Sequence, residues 1–222
     1  SHMPADNVNP TYFVRESDFE TALCELLPRH GWTEEVIMNP TEDDLIRNWA
    51  DIIYSNNREQ HRLGNYPLTE SEMRQVITQF ENAATPYAIN KLIKGGEICI
   101  RRDNQADTEN YGQDVYLKIF GAHEICAGQS RYQIVRQPRF RGADESNRRG
   151  DVMLLINGMP LIHIELKRSK VDVSQAVFQI KRYMHEGIFS RGIWSMVQIF
   201  VAMTPDKTLY FANPGSEDRF NS

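Results

Sequence analysis

What the chain lacks narrows the field first. Three cysteines in 222 residues, Cys24, Cys99 and Cys126, are an odd number without metal-ligand spacing. That excludes a disulfide scaffold and reads as free thiols in a reducing compartment. No apolar run approaches the roughly 18 residues that a membrane-crossing helix needs, and nothing resembles a signal peptide. A cytoplasmic protein with no membrane association is expected. Internal repeats and low-complexity segments are missing. So are a P-loop, a dinucleotide-binding glycine fingerprint and an H-E-x-x-H pair. Gly95-Gly96 and Gly112 are isolated turn glycines, and His30, His61, His123 and His185 form no ligand pattern.

A surplus of positive charge is also missing. Lys and Arg number 25 against 30 Asp and Glu, a net charge of −5, which as an average argues against a partner as negative as DNA. The average hides two unlike regions. Residues 131–182 hold eleven Lys and Arg against five acids, a net +6, and the remainder carries −11. Such clustering suits contact with phosphates, although a solvated charge run would look the same.

What is present is an ordinary globular composition, 41% hydrophobic and 25% charged. Ser1-His2-Met3 looks like an expression scar, leaving residues 4–222 as one domain, and the end at Arg219-Phe220-Asn221-Ser222 hints at a longer protein. Ser17 and Glu20 form a capping-box pattern opening a helix with Phe19, Leu23, Leu26 and Leu27 on one stripe. Residues 32–38 suit a short strand. Apolar residues at helical spacing over 43–55, over 70–82 behind a second capping box at Thr69 and Glu72, and after Thr85-Pro86 predict a helical insertion at about 40–95. From Glu97 the period shortens to two. Residues 97–101, 115–120, 132–136, 151–156, 161–166 and 197–202 read as strands of one sheet, in a core of about 97–214. A single amphipathic helix at about 174–186 forms the crossover that makes the sheet mixed.

The informative stretch runs from Gly150-Asp151 through Asn157-Gly158 to Glu165-Leu166-Lys167. Asn-Gly between two apolar runs is a strong hairpin signal. Asp151 opens one strand and Glu165 closes the other, while Glu165 and Lys167, two apart, face the same way. Register decides whether Asp151 joins them. A two-residue loop gives a position sum of 315 and turns Asp151 away; a three-residue loop or a bulge gives 316 and sets it opposite Glu165. Two carboxylates converging with a lysine suit Mg2+, whose hard oxygen ligands these are, with lysine beside the phosphate. The plainer alternative is a surface ion pair of Glu165 with Lys167, but their strand is otherwise almost wholly apolar. His163, between Ile162 and Ile164, reads as a core histidine.

These residues resemble the PD-(D/E)xK nuclease superfamily and, more narrowly, the endonuclease domain of type I restriction enzyme R subunits. Gln179 and Tyr183 on the following helix match the Q-x-x-x-Y motif of those subunits, and 197–202 with 209–213 are similar to the segment that follows there. The resemblance implies a restriction-endonuclease-like α/β core, a central mixed β-sheet flanked by helices, that hydrolyses double-stranded DNA with Mg2+. It makes Asp151 and Glu165 metal ligands and Lys167 the catalytic lysine. It also implies support from Gln179 and Tyr183, with Arg148, Arg149, Arg168 and Arg182 near DNA. Modification and specificity subunits would be partners, and ATP would bind only in the rest of the subunit. Two departures stand out. The family's proline before the aspartate is Gly150 here, and its first-helix acid falls on Glu20, which doubles as the expected capping glutamate. A stand-alone nuclease of the superfamily and a non-catalytic binding module stay open as alternatives.

Overall fold

The computed structural model describes residues 12–32, 35–83, 85–119 and 130–215. Cys126, His123, Phe120, the first three residues and the last four lie outside them. Cys24 and Cys99 are free thiols.

A six-stranded mixed sheet forms the centre. Its strands are β1 (Val36–Met38), β4 (Tyr132–Arg136), β7 (Val152–Ile156), β8 (Met159–Leu166), β9 (Ile199–Met203) and β10 (Thr208–Ala212), side by side in that order. β1 runs parallel to β4 and β8 parallel to β9; the other pairs are antiparallel. The crossover from β8 to β9 carries α5 (Val173–His185), as the single amphipathic run predicts. Its Ala176, Ile180 and Tyr183 are buried. On the opposite face lies α1 (Glu16–Leu26), with Phe19, Leu23 and Cys24 packed on Ile134, Val152, Leu154, Ile164 and Leu166. The alternation of Ile164 and Leu166 with His163 and Glu165 along β8 separates these two faces.

The helical block contains α2 (Glu42–Asn56), α3 (Glu70–Ala83) and α4 (Pro86–Gly95). Thr69 caps α3 as expected, its hydroxyl taking the Glu72 N–H at 3.2 Å while Glu72 takes the Thr69 N–H at 2.9 Å. A second box, Thr41 with Asp44, caps α2. α2 presents Trp49 to the tip of the β7–β8 hairpin, where a Cβ on Gly158 would lie 2.8 Å from Trp49 Cδ1. That contact and a φ of +84° both demand glycine there.

Two expectations are corrected. Residues 97–101 and 114–118 are not part of the central sheet: β2 (Glu97–Arg101) and β3 (Asp114–Lys118) pair only with each other, β2 packing on α3 and α4 and β3 on α2. Their apolar side chains are needed inside the helical block, where Ile98, Ile100, Val115 and Leu117 are buried. The first helix begins at Glu16, with Arg15 as its N-cap and no side-chain cap, so Ser17 does not pair with Glu20. Glu20 is instead drawn to Arg136, Oε2 to Nη2 at 3.1 Å, because a partly buried ion pair outcompetes a neutral cap hydrogen bond.

A short ribbon, β5 (Arg139–Arg141) with β6 (Asn147–Arg149), also escaped the sequence reading. It is the outward continuation of the β4–β7 hairpin. Tyr132 with Ile156 and Arg141 with Asn147 share one position sum, 288, and the pairing between the ribbon and the sheet is carried by Gly150 N–H to Pro138 O and Gln137 N–H to Asp151 O.

Candidate active site

The β7–β8 hairpin closes on Asn157 and Gly158, with φ of 51° and 84°, a two-residue turn of the primed type. Asn157 is buried, and its Oδ1 accepts the Arg131 N–H at 2.8 Å, fixing the turn. From this tip Ile156 pairs with Met159 and Leu155 with Pro160; then a bulge at Leu161 shifts the register, so that Leu154 pairs with Ile162 and Val152 with Ile164. The bulge converts the sum of 315 into 316. Asp151 therefore arrives beside Glu165, and its Oδ2 accepts the Leu166 N–H at 2.7 Å. The extra residue is not wasted, since the Leu161 carbonyl accepts Gln198 N–H at 2.8 Å at the start of β9.

Glu165 is fully buried. Its Oε1 lies 2.8 Å from His163 Nε2, and its Oε2 has no hydrogen-bond partner among the described residues. Burial, then the Glu165 charge, pushes the Asp151 carboxyl far above the ordinary carboxylate range. Burial likewise raises Glu165, with hydrogen bonding to Asp151 and then the Lys167 charge pulling the other way. The pair is thus short of positive charge: without a cation, one shared proton is the cheapest relief. Lys167 is half-buried next to it.

His163 supplies what the sequence reading missed. It is a core histidine, ringed by Phe140, Phe189 and Phe200, and burial pushes its pKa down to about 4, so it is neutral. An ionised carboxylate only accepts, so beside the Glu165 anion Nε2 carries the hydrogen and donates. The signal was available: His163 and Glu165, two apart on a strand, share a face. Gly150 belongs to the same arrangement. A Cβ there would sit 2.6 Å from His163 Cε1 and 2.8 Å from Phe140 Cε2, so the imidazole occupies the space that a proline at 150 would need.

Gln179 Nε2 donates to Tyr183 Oη at 2.7 Å, and Tyr183 Oη donates to the Arg149 carbonyl at 2.9 Å. The two motif residues thereby tie α5 to the strand entering Asp151. Burial, with Glu165 and Asp151 nearby, pushes the tyrosine up, so it stays protonated. Glu20 makes no hydrogen bond with the carboxylate pair among the described residues. Besides Arg136 it meets Gln137 Nε2 at 3.4 Å, while Oε1 lacks a partner among the described residues. The first-helix acid felt by Glu165 is Glu16.

The basic cluster is thinner than its sequence count. Arg131 pairs with Glu35 at 2.7 Å and Arg136 with Glu20 at 3.1 Å. Arg148 and Arg182 share the carboxylate of Glu186, at 2.9 and 3.1 Å. Arg149 and Arg168 are exposed, Arg168 turning one guanidinium nitrogen to the Ser169 carbonyl at 3.2 Å. No group of three or more His, Cys, Asp or Glu forms a metal cage among the described residues, and no helix there is long and apolar enough to cross a membrane.

Known proteins converge on one family. The profile of the type I restriction enzyme R protein N terminus matches residues 13–219. The type I restriction enzyme SsaAORF53P endonuclease subunit of Staphylococcus saprophyticus is 29% identical over 206 residues, 92% of this chain and 20% of that protein. The SauMSSORF170P endonuclease subunit of Staphylococcus aureus is 28% identical over 205 residues, again 92% of this chain and 20% of its own length. The EcoprrI endonuclease subunit of Escherichia coli is 29% identical over 224 residues, 96% of this chain and 65% of that sequence. This chain thus spans about a fifth of the length of the staphylococcal relatives. With a six-stranded mixed sheet that sets an aspartate and a buried glutamate beside a lysine, the chain belongs to the type I restriction enzyme R protein N-terminal family.

Proposed function

We propose that this chain is the DNA-cleaving domain of a type I restriction R subunit, hydrolysing phosphodiester bonds with Mg2+ held by Asp151 and Glu165. The observation that carries this reading is the orphaned Oε2 of the fully buried Glu165 next to a second carboxylate. Two carboxylates without a matching cation are costly in a protein interior. They fit Mg2+, which takes one or two protein carboxylates and fills its remaining positions with water and substrate phosphate. When bound, the ion polarises a phosphoryl oxygen and acidifies the attacking water.

The chain's own residues prepare that chemistry. The Leu166 N–H fixes Asp151 through Oδ2, and His163 fixes Glu165 through Oε1 and leaves Oε2 without a partner among the described residues. Lys167 is placed to hold the charge that develops on the phosphate or to orient the attacking water. Gln179 and Tyr183 hold the backbone entering Asp151 in place. The rest of the R subunit would bind ATP and move double-stranded DNA, with modification and specificity subunits choosing the site, all in the cytoplasm.

The test is cleavage of double-stranded DNA by the complete R subunit with its partner subunits, comparing wild type with Asp151→Asn. Cleavage falls by at least about a hundredfold while ATP-driven activity and DNA binding persist. Undiminished cleavage in the variant would overturn the assignment. Loss of DNA binding together with cleavage would favour the non-catalytic module.

A further inference from the structure

We infer that the β5–β6 ribbon is a DNA-backbone grip beside the cleavage site, with Arg139, Arg141 and Arg149 as its contact residues. The inference rests on the nuclease reading and adds a surface to it.

The ribbon has two unlike faces. Phe140, buried against His163, Tyr183, Phe189 and Trp194, anchors the inner face, and Arg148 beside it is held by Glu186. The alternation of strand side chains then turns Arg139, Arg141, Asn147 and Arg149 outward, and all four are exposed. Arg139 stands directly across from Arg149. Like charges facing each other across a strand pair are destabilising. Among the described residues no acid or side-chain acceptor relieves any of these three arginines, in contrast to Arg131, Arg136, Arg148 and Arg182. At the turn, Asp144 is engaged with the hydroxyl of Ser146 at 2.5 Å and its N–H at 3.0 Å. A local violation of pairing rules on an otherwise well-packed ribbon marks a surface selected for a partner that supplies the missing negative charge.

Position and spacing name that partner. Arg149 precedes Asp151 by two residues, about 7 Å of strand, and Arg141 lies about 13 Å out along the same hairpin. Successive phosphates of one DNA strand advance about 3.4 Å along the helix axis, so the ribbon's arginines cover about two phosphate steps, starting about two steps from the carboxylate pair. The Tyr183 hydroxyl on the Arg149 carbonyl makes the base of the ribbon rigid with respect to the site. No base-reading geometry is built here; arginines on a ribbon facing a phosphate row give affinity without sequence preference.

The experiment measures binding of the 222-residue chain to a fluorescein-labelled duplex of about 30 base pairs by anisotropy, across a salt series. Ca2+ replaces Mg2+ to prevent cutting. Arg139→Glu and the Arg141→Ala/Arg149→Ala double variant are compared with wild type. Arg74→Glu, an exposed position on α3, controls for net charge. The ribbon variants are expected to weaken binding at least about tenfold and to lower the slope of log affinity against log salt by about two, since each lost phosphate contact removes about 0.9. Arg139→Glu turns a repulsive cross-strand pair into an attractive one, so its melting midpoint stays level or rises, which separates lost contact from lost fold. Affinity and slope equal to wild type, an equal loss in Arg74→Glu, or no duplex binding by wild type would each overturn the grip. Mn2+ binding by the ribbon variants stays at the wild-type level; its absence in wild type would indict the metal site instead.

Discussion

Two clusters of buried charge, one in the helical insertion and one in the central sheet, have opposite arithmetic. In the insertion, Arg102 is fully buried and every neighbour answers it. Nη1 reaches Glu72 at 2.8 Å, Nε reaches Asp107 at 3.0 Å, and the carbonyls of Tyr66 and Pro67 take further donors. Glu72 also accepts the Asp103 N–H and closes its capping box. In the sheet, Asp151 and Glu165 face each other with a neutral histidine, and Glu165 Oε2 has no hydrogen-bond partner among the described residues. Unequal satisfaction of buried charge separates a clamp from a site. A completed network gives the insertion one geometry, whereas an incomplete one carries a standing cost that a cation removes.

The largest effect expected from this contrast is on stability. Arg102→Leu leaves the buried charges of Glu72 and Asp107 without a cation, and chemical denaturation should show a loss of about 3–5 kcal/mol. A loss under about 1 kcal/mol would mean that the network is not the clamp described. The carboxylate pair should behave in the reverse sense. Asp151→Asn removes the repulsion, so the metal-free variant should match or exceed wild type in denaturant midpoint.

The next effect concerns how Glu165 is held. His163→Leu fills nearly the same space without a donor, and His163→Gln keeps an N–H. Mn2+ affinity should fall about 10–100-fold in the leucine variant and recover in the glutamine variant. A purely structural histidine would show the opposite order, because leucine packs at least as well among Phe140, Phe189 and Phe200.

The smallest effect is a pH dependence of the metal-free chain. Asp151 and Glu165 have folded-state pKa values raised above the unfolded ones, so the folded state binds the extra protons. Their contribution is complete at and below the ordinary carboxylate range and is lost as pH rises past neutrality. His163, pushed down to about 4, acts oppositely but only below its ordinary value of 6.5. Two groups outweigh one, and above pH 6.5 only the acids remain, so melting midpoints should decline from mildly acid to mildly alkaline pH. Saturating Mn2+ should flatten that decline. A metal-free midpoint that rises through neutrality would break the comparison.

Much of this contrast was legible in the chain, and the remainder was not for physical reasons. Asn157-Gly158 and a period of two set the hairpin, and the parity of Asp151 against Glu165 demanded the irregularity that Leu161 provides. The helices over 42–56, 70–83 and 173–185 followed from apolar spacing. Strand partnership did not: nothing local in 97–101 tells whether it joins β4 or β3, because that choice depends on where distant apolar surface needs cover. Arg136, 116 positions from Glu20, could not be weighed against Ser17 as its partner. The cap at Thr41 lies outside the usual capping-box pattern because its reciprocal acid is aspartate rather than glutamate or glutamine. Gly150 departs from the family's proline, and the imidazole of His163, distant from it in sequence, fills the space beside it.

The central claim, that the unsatisfied pair exists to hold a divalent ion, is met most directly by titrating Mn2+ calorimetrically into the chain near pH 8, as wild type and as Asp151→Asn. Saturable binding in wild type, weakened at least about tenfold in the variant, is the predicted result. Equal binding by both proteins, or none by wild type, would contradict it.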